Sequence, residues 1–251
     1  MKSTRVLSAL AIITAAGAPA IAGFTVINPP SGSEQSHFQI INTVYGGGFV
    51  PAGLGFTNGP ISAIRAHDNN GAGGTIPGFL DVLNGSAAGG DDDQQWTDGV
   101  VSSESRAVFA GFSQSFGYFA GATGSIGGTN YIPLIDVVGN GYAVTGTNQQ
   151  TFNSPFRFGR DNVAHDGVHR VSSLDTDNAS DQMITYEITG VNGGRKTWLL
   201  FFADTVGGDY DYNDLVIELV VVPVPASVYG GMAGLGLLGT GMMARRRRLA
   251  R

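Results

Sequence analysis

The segment of this chain best suited to chemistry is an acidic loop between two apolar runs, residues 204–214, which reads D-T-V-G-G-D-Y-D-Y-N-D. Asp209, Asp211 and Asn213 are two residues apart, so in an extended or gently curved loop their oxygens point the same way. Carboxylates this close repel one another unless a cation lies among them, and calcium takes about six to eight oxygen ligands of this kind. We therefore predict a calcium site whose ligands are Asp204, Asp209, Asp211, Asn213 and Asp214.

Two other interpretations fit parts of this loop. The D-x-D-x-N start matches an EF-hand, but the sixth position is Asp214 instead of Gly, the twelfth is Val220 instead of Glu, and no helices are expected beside it. A solvated acidic turn, in which Asp and Asn side chains bind their own backbone, stays open. The apolar runs on both sides favour the metal site over the solvated turn.

Signatures of catalysis are sparse. The chain has no cysteine, which removes thiol nucleophiles and zinc–thiolate sites, and it contains neither G-x-S-x-G nor H-E-x-x-H. His67-Asp68 and His165-Asp166 resemble the HD dipeptide of metal phosphohydrolases, whose fold is all-helical. The remaining acidic clusters are interpreted as solvated loops in preference to second ion sites; they are Asp91, Asp92, Asp93 and Asp98, and Asp175, Asp177, Asn178 and Asp181. We expect no catalytic residue.

Charge is distributed unevenly along the chain. The net charge of -6 includes basic ends, with Lys2 and Arg5 at the start and five arginines among the last seven residues. The part between them holds all 20 acidic residues but only seven basic ones, a net charge of -13. Nucleic acid is negatively charged and binds positively charged proteins, so this negative balance excludes a nucleic-acid-binding protein. It favours a protein that attracts cations.

The first 22 residues have the three parts of a secretory signal peptide. Met1–Arg5 is basic, Val6–Ala18 is almost entirely apolar or small, and Ala20-Ile21-Ala22 supplies the small residues that signal peptidase requires. We predict cleavage after Ala22. An uncleaved anchor is disfavoured because the apolar core is too short to span a bilayer.

The last 30 residues, 222–251, predict a membrane segment. Val228–Ala244 carries no charge and is followed by Arg245, Arg246, Arg247 and Arg248. A helix over residues 226–244 would be about 28 Å long, close to the hydrocarbon thickness of about 30 Å. Because arginines stay on the cytoplasmic side, the predicted orientation is body outside and arginine block inside.

A proline-rich motif precedes this span: Val222, Pro223, Pro225, Ala226 and Ser227 form V-P-x-P-A-S. Motif, glycine-rich span and arginine block together resemble the PEP-CTERM sorting signal of Gram-negative bacteria, although the commonest form has Glu between the prolines. The resemblance covers residues 222–251. It implies recognition and cleavage by an exosortase-type enzyme, a mature body at the cell surface or outside the cell, and an association with exopolysaccharide and biofilm.

The body between the two ends, residues 23–221, has an all-β composition in which Gly, Thr, Asn and Ser separate short runs of Val, Ile, Phe and Tyr. Residues 76–83 could form one short helix at most. Alternation over residues 108–118 predicts a half-buried strand pair or one long bent strand.

The end of the body predicts a three-stranded meander. Its strands fall near residues 184–189, 197–202 and 215–221, and Asn192-Gly193 offers a type I′ turn between the first two. The acidic loop joins the second and third strands. We expect an antiparallel β-sandwich of jelly-roll type, in which calcium supplies the rigidity that disulfides give to other secreted domains.

The acidic loop carries a second resemblance. Phe202-Ala203-Asp204, followed by G-G-D-Y-D-Y-N-D-L-V at residues 207–216, is similar to the hallmark of an uncharacterised extracellular domain frequent in PEP-CTERM proteins and bacterial adhesins. Members usually have Glu where this chain has Ala203. The resemblance implies a calcium-associated surface module and no reaction.

These features predict an exported, calcium-binding, non-catalytic surface protein. The first alternative is a polysaccharide-binding module in which an exposed Trp96 or exposed tyrosines stack on sugars. The weakest is a secreted polysaccharide hydrolase, because the 20 acidic residues leave room for the two carboxylates that a glycosidase needs.

Overall fold

The computed structural model describes the body of the chain. The described residues are 27–52, 55–66, 82–84, 94–96, 99–127, 129–167, 169–174, 177–178, 182–203 and 208–222. The predicted signal peptide, the motif from Pro223 onward, the predicted membrane span and the arginine block lie outside them. Within the described residues, no helix has the length and apolar character needed to cross a bilayer.

The described chain is built from short strands and one helix, α1, at His37–Tyr45. The strands in chain order are β1 (Val50–Ala52), β2 (Gly55–Asn58), β3 (Ile61–Arg65), β4 (Val82–Asn84), β5 (Gln94–Trp96), β6 (Gly99–Val108), β7 (Gln114–Ala120), β8 (Tyr131–Asp136), β9 (Val138–Asn140), β10 (Ala143–Thr145), β11 (Thr147–Phe152), β12 (Phe156–Asn162), β13 (Val171–Ser172), β14 (Met183–Thr189), β15 (Thr197–Phe202) and β16 (Leu215–Val221).

These strands form two antiparallel sheets and a small hairpin. The larger sheet has the order β1-β2-β3-β14-β15-β16-β6-β11. The smaller sheet has the order β4-β5-β12-β7-β8, with β13 also paired to β12, and β9 and β10 pair only with each other. The chain passes between the sheets several times, for example from β6 to β7 and from β13 to β14. The prediction of an all-β, antiparallel body is confirmed.

An aromatic core joins the two sheets face to face. Trp96 of β5 meets Trp198 of β15 edge-on, with ring centroids 5.3 Å apart, and Phe116 of β7 lies 6.1 Å from Phe202 of β15. All four side chains are at most 4% exposed. Such offset aromatic contacts between facing sheets give the body its sandwich-like form.

The larger sheet is covered on its other face as well. Strand β15 is buried at all six residues, which alternation alone does not explain for a sheet with one solvated face. Its second face packs under helix α1, whose Ile40 and Ile41 are fully buried against Leu199 and Phe201 in one apolar cluster. The central strands of the larger sheet therefore lie between the smaller sheet and α1.

Helix α1 is short but has strong signals at both ends. Ser36 and Gln39 form a reciprocal capping box, and Gly46 ends the helix in the left-handed conformation with φ of 93°. Its buried residues His37, Ile40 and Ile41 follow the helical i, i+3, i+4 spacing, but the sequence analysis predicted no helix here. The helix allowed at residues 76–83 is contradicted at its end, because Val82 and Leu83 belong to β4.

The predicted meander is confirmed. Strand β14 pairs with β15, and β15 pairs with β16, all antiparallel. Asn192 and Gly193 have φ of 52° and 68°, and the Gly194 amide donates to the Val191 carbonyl at 2.9 Å, as a type I′ turn requires. The turn lies within a seven-residue connection, residues 190–196, so it closes a longer loop than a two-residue hairpin.

The apolar alternation over residues 108–118 belongs to two strands in different sheets. Strand β6 ends at Val108 in the larger sheet, and β7 begins at Gln114 in the smaller one. One long bent strand is therefore wrong for this segment. Phe112, which the alternation placed on a strand face, lies in the connection between the sheets.

Candidate functional site

The acidic loop lies at the end of the larger sheet between β15 and β16. Its last residue is fixed by the sheet, because the Asp214 amide donates to the Phe202 carbonyl at 3.1 Å and the Asp214 carbonyl accepts from the Phe109 amide at 3.3 Å. Tyr210 and Tyr212 have φ of 59° and 57°, the left-handed region that non-glycine residues rarely occupy. The expectation of an extended or gently curved loop is wrong here, because an extended backbone has negative φ angles and both tyrosines are left-handed.

Three carboxylates converge at this loop. Glu34, Asp209 and Asp211 each offer an oxygen, and these oxygens all lie within 4.8 Å of one another. Asp211 is buried, Glu34 is partly buried and Asp209 is exposed. Within the described residues, no Lys or Arg forms an ion pair with any of the three. We call Glu34, Asp209 and Asp211 the carboxylate cluster.

The third member of the carboxylate cluster comes from the N-terminal strap, which we define as residues 27–36. The Asn28 amide donates to the Tyr210 carbonyl at 3.0 Å, and the Asn28 side chain donates to the Asp209 carbonyl. Glu34 is held in turn by Ser31, whose hydroxyl donates to Glu34 Oε2 at 3.1 Å. The strap thus lies along the acidic loop, although the two segments are far apart in the sequence.

Asn213 lies beside the carboxylate cluster, and only the nitrogen of its side-chain amide is hydrogen-bonded. Its Nδ2 donates to Asp211 Oδ2 at 2.7 Å and to the Gln35 carbonyl at 3.1 Å. Its Oδ1 is buried without a hydrogen-bond partner, and the residue is fully buried. An unpaired buried acceptor costs about 1–3 kcal/mol, so this oxygen is well suited to a ligand that accepts lone pairs. The donor set of carboxylate, amide and backbone oxygens fits calcium, which prefers hard oxygen ligands.

His37 closes the inner side of the site. Its Nε2 lies 2.9 Å from the Asp211 carbonyl, which can only accept, so Nε2 carries the proton and Nδ1 accepts from the Tyr186 hydroxyl at 3.1 Å. Its ring stacks on Phe201 with centroids 4.0 Å apart. Burial lowers the pKa of His37 to about 3; the hydrogen bond to the Asp211 carbonyl opposes the shift and the charge of Arg65 adds to it. Both ring nitrogens are engaged, so His37 is a support and not a ligand.

The carboxylate cluster raises the proton affinity of its buried member. Burial is the largest cause and the negative charge of Asp209 is the next, and together with Glu34 they raise the pKa of Asp211 to about 7. A cation among the three carboxylates would reverse this effect, because it favours the charged form. In this region a proton and a metal ion compete for the same oxygens.

The structure brings together only some of the residues predicted as ligands. Asp209 and Asp211 belong to the carboxylate cluster and Asn213 is hydrogen-bonded to it. Asp214, directly before β16, is 6% exposed and is not a member of the cluster. Asp204 lies outside the described residues.

Sequence reasoning missed Glu34 and the Gln35 carbonyl. Gln35 and Asn213 are 178 positions apart, so no local spacing rule could connect the strap with the loop. The only local signal was the Ser36–Gln39 capping box, which predicts a helix start directly after Gln35 and so fixes the end of the strap.

Trp96 does not lie on the surface as the polysaccharide-binding alternative required. It is fully buried, with its ring 5.1 Å from Phe158 and 5.3 Å from Trp198. The facing sheet instead buries it, so Trp96 cannot stack on a sugar.

A second group of charges, the arginine network, lies on the smaller sheet. We define it as Arg157, Arg160 and Arg170, which are 1%, 0% and 8% exposed. Arg157 pairs with Asp177, and Arg170 donates to Asp161 at 2.6 Å. Arg160 donates to Gln114 Oε1 and to the His169 carbonyl, both at 2.6 Å. Asp177 is thus a structural ion-pair partner, so its assignment to a solvated loop is wrong.

His165 and Asp166, the described HD dipeptide, have separate partners. His165 Nε2 lies 3.4 Å from Asp136 Oδ1, while Asp166 Oδ2 accepts from Asn162 at 2.8 Å. No shared metal-binding group of three His, Cys, Asp or Glu residues includes them within the described part of the chain. His67 and Asp68 lie outside it.

Comparisons of the whole chain with protein-family models, with curated proteins and with solved structures returned no match. The two motif resemblances therefore stay predictions, and the site geometry carries the functional argument.

Proposed function

We propose that this chain is an exported, non-catalytic surface protein whose sandwich-like body binds calcium at the carboxylate cluster. The observation that carries the proposal is the convergence of Glu34, Asp209 and Asp211 within 4.8 Å beside the unpaired buried oxygen of Asn213. A cation relieves both the mutual repulsion and the unpaired acceptor. Calcium suits a site with this many oxygen donors and this much charge.

The absence of catalysis in this proposal is supported by the state of the nearest histidine. His37 stays neutral at physiological pH because burial lowers its pKa to about 3. Its two nitrogens are occupied by the Tyr186 hydroxyl and the Asp211 carbonyl. It therefore has no nitrogen available as a general base for a substrate at the site.

Calorimetric titration of the full chain with calcium, in mild detergent, tests the proposal. We expect binding heat and a rise in melting temperature, because a ligand that binds only the folded state stabilises it. The Asp211→Asn variant should lose most of the heat, whereas Glu187→Gln, which changes an exposed carboxylate on β14, should retain it. No heat and no rise in melting temperature with the unchanged chain would contradict calcium binding.

The location of the protein is part of the same proposal. We propose that signal peptidase removes residues 1–22, that the jelly-roll-type body crosses the inner membrane, and that an exosortase-type enzyme processes the 222–251 segment. The support is the order of signal, body, motif, apolar span and arginine block in the sequence. Intact-mass analysis of the surface protein checks it: a mass that still includes Arg245–Arg248 contradicts removal of the tail.

The association with extracellular polysaccharide remains a weaker proposal. Without Trp96, its structural support is reduced to exposed aromatic residues such as Tyr142, which is 38% exposed with its ring 5.6 Å from Phe109. A glycan array with the full chain and a Tyr142→Ala variant tests it. Binding that persists in the variant would rule out Tyr142 as the stacking residue.

A further inference from the structure

We propose that the calcium ion acts as a clasp that holds the N-terminal strap and helix α1 onto the larger sheet. This inference rests on the proposed calcium site and adds to it a ligand from the strap, Glu34, and a consequence for the conformation. The ion then controls how firmly one end of the described chain is docked onto the other.

The first argument is that the ion would take ligands from two segments that are joined by no covalent link nearby. Asp209 and Asp211 come from the loop after β15, and Glu34 comes from the strap. The Gln35 carbonyl, also in the strap, shares the Asn213 amide with Asp211. A cation bound to oxygens from both segments contributes its binding free energy only while the strap is docked.

The second argument is that, among the described residues, the strap makes few other polar contacts with loop residues 208–214. Apart from Gln35, these are made by Asn28, through its backbone amide and its side chain, to the carbonyls of Tyr210 and Asp209. Such exposed hydrogen bonds contribute little against water. Without a cation, the charge on Glu34 faces the charges on Asp209 and Asp211, which weakens the docking.

The third argument concerns what the strap leads into. Ser36, the last residue of the strap, caps α1, and His37 at the first helical position is buried against Phe201 and Tyr186. One turn later, Ile40 and Ile41 cover the outer face of the larger sheet. Loosening the strap therefore frees the N-terminal end of α1 and admits water to an apolar surface that the ion keeps closed.

Hydrogen exchange of the full chain, followed by mass spectrometry with and without calcium, tests the clasp. We expect exchange over residues 36–45 to slow by about tenfold or more when calcium is added, because opening then requires release of the ion. Exchange in β12, in the smaller sheet away from the site, should change little and serves as the internal reference.

Two variants separate the ligand role of Glu34 from a general charge effect. Glu34→Gln keeps the shape but removes one ligand charge, so it should weaken calcium binding by about tenfold or more and abolish the slowing in α1. Glu187→Gln removes an exposed charge from strand β14 of the larger sheet and should leave calcium affinity and the slowing of exchange in α1 unchanged.

The outcomes distinguish the clasp from the site itself. Calcium heat without slower exchange in residues 36–45 overturns the clasp and leaves the calcium site standing. Normal affinity in Glu34→Gln also overturns it, since the strap then supplies no ligand. If the unchanged chain gives no heat at all, the calcium site fails and the clasp fails with it.

Discussion

The carboxylate cluster and the arginine network are two charged regions that the fold neutralises in opposite ways. In the network, Arg157 and Arg170 find Asp177 and Asp161 within the chain, and the guanidinium faces rest near Phe119 and Tyr131. In the cluster, three acidic side chains meet without an Arg or Lys partner among the described residues, and their hydrogen bonds come from neutral donors such as Ser31 and Asn213. The network is neutralised within the chain, whereas we propose that an ion from solution completes the cluster. The sequence shows both regions only as groups of charged residues. The ion pairs of the folded chain distinguish the arginine network from the carboxylate cluster.

The largest expected effect comes from breaking the arginine network. Asp161→Ala leaves the Arg170 guanidinium buried without its carboxylate, which should lower the free energy of unfolding by about 3–5 kcal/mol. Urea denaturation with and without calcium measures it, and the loss should be the same in both. Glu104→Ala, which removes an exposed partner of Arg106, should cost about 1 kcal/mol or less. A loss at Asp161 that saturating calcium restores would show that the two regions are not independent.

A smaller effect is expected from pH, through His37, which contacts the Asp211 carbonyl beside the carboxylate cluster. The pKa of His37 is lower in the folded chain than its ordinary value of 6.5. The neutral ring therefore makes its full contribution to the free energy of unfolding above about pH 6.5, and this contribution is lost as the pH drops toward 3. The groups that face its ring are the Tyr186 hydroxyl, the Asp211 loop and the Arg65 side chain.

The His37→Gln variant isolates this contribution. From pH 6.5 to 5, the His37 imidazole takes up a proton in the unfolded state but not in the folded state, which should lower the free energy of unfolding of the unchanged chain by about 2 kcal/mol, at about 1.4 kcal/mol per pH unit. The variant lacks the titrating ring and should lose correspondingly less stability over that range, although it starts from a lower value. Urea denaturation at several pH values provides the comparison. Parallel curves for the two chains would contradict the buried, neutral state of His37.

The smallest expected effect is on calcium affinity. Because the pKa of Asp211 is raised to about 7, a proton occupies the site at pH 6 and must leave when calcium binds. The apparent affinity should therefore rise by about tenfold from pH 6 to pH 8, while the Asp161–Arg170 pair has no part in the change. Calorimetry in buffers of different ionisation enthalpy measures the released proton. An affinity independent of pH would mean that Asp211 is already ionised without the metal.

Local sequence patterns predicted much of the fold at the end of the body. The alternation in β14, the apolar run of β15 and the Asn192-Gly193 turn act between neighbours, so each can be read without knowing the rest of the molecule. The same does not hold for Asp209 and Asp211, because the left-handed conformations of Tyr210 and Tyr212 replace the extended loop on which the spacing argument relied. Helix α1 was not predicted, although its capping box and the i, i+3, i+4 spacing of His37, Ile40 and Ile41 were both local signals for it.

The sequence by itself determined that the chain is an acidic, cysteine-free, all-β protein between two targeting-like ends, and that its densest carboxylates lie in the loop before β16. The tertiary structure decided which of the charges in the described residues form ion pairs, that Glu34 joins Asp209 and Asp211, and that Trp96 is buried. The physical reason is that spacing controls which side chains share a face, whereas burial and charge pairing depend on what the distant parts of the chain bring against that face.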